Sequence, residues 1–585
     1  MDEQQRAAER LARLQARNER RRARGEPVWE PAAGLYPFAP TATAPPPNGS
    51  FGPAVAPPPV RASRERLAVS TAIFGIATGL SRIVGLVREV VAAYYFSASG
   101  RINAFTIAFQ VPNLVRALLA DAALSSAFVP VFSDLLEKGE RKRAWRVASS
   151  LFWLMLLGLT ALTALFILVA PWVISIFGNP GHDRSLAVGL SRVLFPIVVL
   201  LGLSGIVVGV LNSYDHFTVP ALSPIVWNIL IVVGLVIGIP HAGTISGKLY
   251  VYAGAIVVAT LVQLFLPMPW LRGLDRGEER LRIVLDWRDP AVRKVFKLMI
   301  PVTLGLGLIN VNALIDSIFA SRYIDANLAP TAIQKAFLVY MMPQGMFSVA
   351  VATVLFPTLS RLASRGDLRG VASTVSDGLR QIAFLLAPTA VVSAVLAQPI
   401  IRILFQHGHR WTTHQTLVVA GALAAFSAGL VFNGAMLMLN RAFFSLQSNW
   451  VPTIVALGNL FLNALLDALF YRFGTWGIPL GTAVCNVVST AVLIALLRRR
   501  LGRIDGSRIA ASVARIAIAS AFVAGVAWIV WHPLDSALGR SFPAQVVSLG
   551  TALVACALTY YTACRALRVR EMQALLSLRG RLRGA

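Results

Sequence analysis

The stretch VASSLFWLMLLGLTALTALFILVAPWVISI, residues 147–176, contains no charged residue. As a helix it is about 45 Å long, more than the roughly 30 Å hydrocarbon core of a bilayer requires. It is preceded directly by EKGERKRAWR (137–146), where basic residues crowd. An apolar run of this length, closed at one end by positive charge, reads as a membrane-spanning helix whose basic end faces the cytoplasm.

Working outward, similar runs recur at 67–95, 101–125, 184–212, 219–239, 249–271, 293–321, 328–357, 371–398, 412–440, 450–471, 477–497, 508–531 and 543–564, giving about fourteen spans in all. The composition agrees. Of 585 residues 56% are hydrophobic and 14% charged, against roughly a quarter charged in soluble domains. The expected fold class is an all-α polytopic membrane protein. The loops after even-numbered spans, among them RGLDRGEERLRIVLDWRDPAVRK (272–294), RLASRGDLR (361–369) and RRRLGRIDGSR (498–508), are far richer in Lys and Arg than the alternate loops. The positive-inside rule therefore places them, and both termini, in the cytoplasm. The net charge of +27 is then largely topological, and a nucleic-acid partner is not expected. The three cysteines, Cys485, Cys556 and Cys564, lie in apolar runs with neither metal-ligand nor disulfide spacing and read as small buried residues.

An internal repeat divides the chain. AFVPVFSDL (127–135), after span 2, and VLFPTLSRL (354–362), after span 8, share Pro-x-apolar-Ser-x-Leu; NSYDHFTVP (212–220) and SLQSNWVP (445–452) open spans 5 and 11. Two six-helix lobes related by a pseudo-two-fold along the membrane normal follow, a common transporter plan. The expected divisions are a basic, Pro-rich cytoplasmic tail over 1–65 that is disordered, an N-lobe over 66–290, a C-lobe over 291–505, and two added helices with a basic tail over 506–585. The tail is no signal peptide, because no short apolar core follows its basic residues directly.

Polar residues inside the spans mark the function. In LSRIVGLVRE (80–89) Arg82 lies about 22 Å into span 1 if the helix starts near Leu67, too deep to reach the near interface. Arg88 lies near the far one, and Arg116 is in the middle of span 2. An arginine at depth costs on the order of 2.5–3.5 kcal/mol, so these side chains face protein or a water-filled cavity. Arg82 and Glu89, seven apart, share a helix face, with Arg88 about 120° round unless the helix breaks; Gly75, Gly79 and Gly85 favour a bend. Internal pairing, Arg82 with Glu89 and Arg116 with Asp121, is the plain structural alternative. The excess of cations favours a site for an anionic headgroup, which arginine's planar fork of donors suits. A second set, Asp316 in span 7, Asn463 and Asp467 four apart in span 11 and Thr482 in span 12, offers only oxygen ligands, as a hard cation such as Na⁺ prefers. A carboxylic acid carrying a proton and interhelical hydrogen bonding alone are the other readings of that set. His407, His409 and His414 share one loop, a weak metal signal. There is no nucleophile–base pair and no phosphate-binding loop, so the chain reads as a transporter, not an enzyme.

SRIVGLVRE (81–89) followed by INAFTIAFQVPNLVRALLADAALSSAFVPVFSDLL (102–136) resembles the signature of the MurJ/MviN family, and the resemblance continues through LNSYDHFTVPALSP (211–224), TVLFPTLSRLA (353–363), LFQHGH (404–409) and RAFFSLQSNWVPT (441–453). It implies the multidrug/oligosaccharidyl-lipid/polysaccharide exporter superfamily. It also implies a flippase that moves lipid II, the undecaprenyl-pyrophosphate-linked peptidoglycan precursor, across the bacterial plasma membrane for cell-wall synthesis. The substrate site carries over to Ser81, Arg82, Arg88, Glu89 and Arg116, and the Na⁺ site to Asp316, Asn463, Asp467 and Thr482. No cofactor is implied beyond Na⁺ as coupling ion; the implied partners are lipid II, membrane lipids and proteins of cell-wall synthesis. Two positions depart from the family pattern. Asn103 stands where many members have Asp, and Leu338 stands where some have an arginine, with Lys335 one turn away to supply the charge. An exporter of another polyprenyl-linked glycan and a non-transporting scaffold of the cell-wall machinery are the alternatives.

Overall fold

The computed structural model describes residues 79–116, 122–214, 216, 218–272, 274, 280–408, 410–448, 450–502 and 506–572. The tail over 1–65, Gly75, Asp121 and His409 lie outside them. The described chain is helical, and each of the fourteen predicted spans meets a helix. Among the described residues ten helices are long and apolar enough to cross a bilayer, or eleven when Thr413–Ala428 and Leu430–Ser445, bent by 45°, count as one span. Leu168, Trp172, Val354 and Phe461 lie on the outside with most of their surface exposed. In water such faces are an aggregation hazard; in a bilayer they are what lipid tails contact.

Three sequence expectations change. Span 1 is one continuous helix over 79–96, so Gly85 makes no break. A Cβ added there would make only ordinary contact with Asn228, at 3.7 Å. Spans 2 and 8 run further than predicted, to Glu137 and Ser364, so both repeat motifs lie inside helices, with Pro130 and Pro357 at interior positions. Backbone adjustment and neighbouring helices let such prolines be tolerated in membrane helices. Irregularity appears instead as π-helical turns at Ala320–Ile324 and Gln344–Ser348, after span 7 and within span 8.

Buried apolar side chains form a first cluster, largely from spans 1–6, and a second, largely from spans 7–12. The exchange between them is informative. Val292, Val295 and Met299 at the start of span 7 pack in the first cluster, while Ala93 and Ala98 at the end of span 1 pack in the second. Spans 13 and 14 pair with each other and lie on span 9. They are tied there by Tyr560 Oη donating to the Phe384 carbonyl (2.6 Å), by Arg402 Nη1 on both oxygens of Asp535 (2.7 and 3.0 Å), and by Glu571 beside Arg380 (3.4 Å), the same carboxylate accepting from Ser512 Oγ of span 13 (3.0 Å). Cys485, Cys556 and Cys564 are buried thiols.

Loop contacts sort the two faces. On the basic face, Arg143 meets Asp289 (3.7 Å) and Trp153 Nε1 donates to the Arg282 carbonyl (3.0 Å), joining the loops after spans 2 and 6. On the opposite face the turns after spans 1, 3, 7 and 9 converge. There Ser97 Oγ donates to Gln415 Oε1 (2.5 Å) and Gln415 Nε2 donates to Ser99 Oγ (2.6 Å). The Gly100 amide bonds the Asn327 carbonyl, the Gly181 amide the Ala326 carbonyl, and Arg322 the Ile176 carbonyl. Gly181 is held at φ +62°, and a Cβ there would stand 2.8 Å from the Gly100 carbonyl oxygen, so glycine is required.

Candidate functional site

The site starts from the last two turns of span 1. Arg88 is flanked by Trp227, whose indole N–H is fixed by Thr260 Oγ1 at 3.0 Å, and its guanidinium lies 5.0 Å from the ring centre. Its Nη2 donates to Glu89 Oε1 at 2.7 Å. The second oxygen of Glu89 accepts from Lys335 Nζ of span 8 at 3.0 Å, and Lys335 also donates to the Glu89 backbone carbonyl at 3.2 Å. Lys335 is 4% exposed and sits 4.9 Å from the Phe405 ring centre. One carboxylate thus joins cations from the two halves of the chain. The alternative Arg82–Glu89 pair does not form and this triad stands in its place, because a heptad spacing aligns Cβ atoms but leaves them about 10 Å apart along the axis. The neighbouring arginine's long side chain reaches instead. Arg88 Nε is buried and makes no hydrogen bond among the described residues. A buried charged donor left open is costly without a partner, and an anionic ligand supplies one.

Arg88, Glu89 and Lys335 line a cavity of about 50 Å³ together with Phe105, Thr106 and Tyr252. Tyr252 stacks on Phe105 with ring centres 4.3 Å apart, making an aromatic wall. The cavity is roofed by the polar contacts of the face opposite the basic loops. Thr106 and Thr331 hydroxyls meet at 2.9 Å. Asn103, fully buried, donates to the carbonyls of Ala98, Gly100 and Asn327 (3.1, 3.1 and 2.6 Å), and its Oδ1 accepts from the Thr331 amide at 2.9 Å. This accounts for asparagine at that position, since a carboxylate cannot donate to three carbonyls. Asn103→Asp is expected to loosen this roof, read as faster amide hydrogen exchange over 97–104 and 326–332; unchanged exchange contradicts the assignment. Gln415, Asn327 and Thr331 were not singled out by sequence reasoning. Gln415 was readable, because Thr412 and Gln415 form a capping box at the start of span 10, which fixes the side chain that Ser97 and Ser99 meet.

Arg82 reaches span 8 at a different level. A Cβ added to Gly345, within the π-helical turn, would stand 1.6 Å from Arg82 Nη1 and 2.5 Å from its Cζ. The absent side chain is what admits the guanidinium across to span 8. Gly345→Val is expected to displace Arg82, leaving expression intact because a flexible side chain yields. Losing one hydrogen bond to a charged group, about 1.5–3 kcal/mol, lowers transport about tenfold or more; an undiminished rate contradicts this. Arg116 donates from Nε and Nη2 to Asn113 Oδ1 (3.0 and 2.8 Å). Its proposed partner Asp121 lies outside the described residues. Ser81, one residue before Arg82, is half-buried. Leu338, which the resemblance set against an arginine of some family members, packs against the second apolar cluster; Lys335, one turn away, is the buried cation of that part of span 8.

The second polar set assembles largely as its spacing predicts. Asn463 Nδ2 donates to Asp316 Oδ1 at 2.7 Å and to Asp467 Oδ2 at 3.3 Å, and Asn463 and Asp467 are fully buried. Asn463 Oδ1 and Asp467 Oδ1 accept no hydrogen bond among the described residues. Two carboxylates on one amide in an apolar interior need either a cation or a shared proton, and two open oxygens are there for a hard cation to take. Thr482 is the member not drawn in. Its hydroxyl bonds the Ile478 carbonyl of its own helix at 3.4 Å, while neighbouring Gly481 abuts Asp467. His407 Nε2 lies 2.7 Å from the Ile403 carbonyl and its ring packs on Phe542.

Comparison with known proteins gives the family and the fold. The family described as "Lipid II flippase MurJ" matches residues 92–546. The lipid II flippase MurJ of Burkholderia cenocepacia is 30% identical over 432 residues, 72% of this chain and 82% of that protein. The probable lipid II flippase MurJ of Synechocystis is 28% identical over 483 residues, 81% and 90% of the two. Among solved structures, a lipid II flippase MurJ in an inward closed conformation superposes with TM-score 0.69 at 24% identity over 85% of this chain and 99% of that one. An inward-facing multidrug resistance transporter of the MATE family, MOP superfamily, superposes at 0.62 and 16% over 75% and 98%. At these identities the two superpositions establish the fold.

Proposed function

The chain belongs to the lipid II flippase MurJ family, and from that premise we propose that it carries lipid II from the inner to the outer leaflet of the bacterial plasma membrane by alternating access, for peptidoglycan synthesis. On this reading the basic loops and both termini face the cytoplasm, and spans 1–6 and 7–12 act as two lobes.

The observation that carries the reading is Glu89 shared between Arg88 and Lys335 across the two halves, with Arg88 Nε still open. The cations are fixed before the substrate arrives, which lowers the ordering cost of binding. A headgroup diphosphate competes with Glu89 for both. As it takes Lys335 it removes a tie between the lobes, so binding favours one state over the other, as any ligand-driven transition requires. Arg82, admitted by Gly345, and Arg116 add positive charge along the path, with Ser81 and Glu89 beside them.

Eight hydrogen bonds close the face opposite the basic loops: Ser97 and Ser99 to Gln415, Gly100 and Asn103 to Asn327, Gly181 to Ala326, Thr331 to Asn103, Thr106 to Thr331, and Arg322 to Ile176. At about 0.6 kcal/mol each inside a membrane, they total about 5 kcal/mol. Differential binding of about 5.5 kcal/mol reverses a two-state preference from 1:99 to 99:1, so such a seal can open under a ligand. Asp316, Asn463 and Asp467 are the residues that would hold Na⁺, which supplies the counter-charge for the two carboxylates. Na⁺ bound there favours the state in which spans 7 and 11 meet.

Complementation tests the function. The chain is expected to sustain growth of a bacterium depleted of its own lipid II flippase. In a paired transport assay it is expected to move lipid II in preference to an O-antigen-type lipid. Preference for the latter points to another glycan exporter, and growth without any lipid movement points to a scaffold.

A further inference from the structure

Above the roof lies a second cavity, of about 400 Å³, lined by Ser97, Ser99, Arg101, Ile102, Ile245 and Arg410 with Phe96 and Gly100. Arg101 comes from the turn after span 1 and Arg410 from the loop after span 9, so the two halves each contribute one guanidinium. Among the described residues the lining contains no carboxylate. Arg101 is 49% exposed and is steadied from behind by Asp183 (3.4 Å) and Ser246 (3.0 Å); Arg410 is exposed. Ser97 and Ile102 line this cavity and the inner one alike, and Ser97 is itself part of the seal. Parting the Ser97–Gln415 contact therefore joins the site of Arg88 and Lys335 to the space between Arg101 and Arg410.

We propose that this vestibule is a second anion site, in which Arg101 and Arg410 take a diphosphate group as it leaves the inner cavity. Two planar guanidiniums in one lining, one from each half, suit a diphosphate, whose charge is spread over several oxygens. Because each comes from a different half, the site's geometry changes whenever the halves move, so it holds its ligand in one state and releases it in another. The source of the diphosphate, a lipid headgroup, rests on the flippase reading; the anion chemistry does not.

The native cysteines are buried, so a single reporter, Ile245→Cys at the vestibule wall, is labelled with a membrane-impermeant maleimide in liposomes of the full chain. One arm adds inorganic pyrophosphate; the other adds lipid II to the membrane without free pyrophosphate. Both are expected to slow labelling at least fivefold. Protection by pyrophosphate should be lost when Arg101→Gln and Arg410→Gln are added and kept when Arg88→Ala is added. Unchanged labelling in both arms, or protection that survives the vestibule double substitution, overturns the site. Loss with Arg88→Ala alone also overturns it, by placing the protection in the inner cavity. Protection by pyrophosphate without protection by lipid II overturns the lipid source while leaving the anion site. Flipping by the unmodified chain is measured separately, so the vestibule and the flippase reading fail independently.

Discussion

Arg88→Ala is expected to abolish the chain's ability to sustain growth in flippase-depleted cells, with normal amounts of protein in the membrane. The substitution removes the guanidinium that holds Glu89 at 2.7 Å and carries the open Nε. Glu89 keeps Lys335, so the buried carboxylate is not orphaned and the helix packing survives. The substrate, however, meets one cation where there were two. Truncating one partner of a buried charge pair costs about 2–5 kcal/mol, a loss of about thirtyfold at the least. Lys335→Arg keeps the charge and is expected to retain growth. Lys335→Glu places two carboxylates together and is expected to stop it. Full growth of Arg88→Ala cells at wild-type protein levels contradicts the assignment.

Asp467→Ala is expected to remove the response to Na⁺ that the proposed cation site gives the protein. In the unmodified chain, Na⁺ at a hundred times its dissociation constant is expected to stabilise the fold by about 2.7 kcal/mol, seen as a raised thermal midpoint in detergent relative to K⁺. The variant loses a ligand and one of two crowded negative charges together. Its midpoint in K⁺ is therefore expected to match or exceed the parent's, while its Na⁺ shift disappears. Thr482→Val, whose hydroxyl is engaged with Ile478, is expected to keep most of the shift. An equal midpoint for the unmodified chain in Na⁺ and K⁺ removes the cation site and leaves a proton or hydrogen bonding to explain the two acids.

What could be read in the sequence was what local physics dictates. Bilayer thickness sets the length of apolar runs, so the spans were legible. It sets no limit on a helix beyond the lipid, so the extension of span 2 past residue 125 to Glu137, with Pro130 inside the helix, was not. The i,i+4 spacing of Asn463 and Asp467 is a helix property and placed them correctly, with Asp316 beside them. The partner of Glu89 is not local. Lys335 is 246 residues away, and only the packing of span 1 against span 8 selects it over Arg82. Asn103 read as a departure from a family pattern because its meaning lies in carbonyls that the fold brings to it.

The most direct measurement reconstitutes the purified chain in liposomes with fluorescent lipid II and follows its accessibility to a membrane-impermeant quencher. The account predicts that the unmodified chain equilibrates lipid II between leaflets and that the triple variant Arg82→Ala, Arg88→Ala, Arg116→Ala does not, at equal incorporation. Equal rates for the two proteins would contradict it.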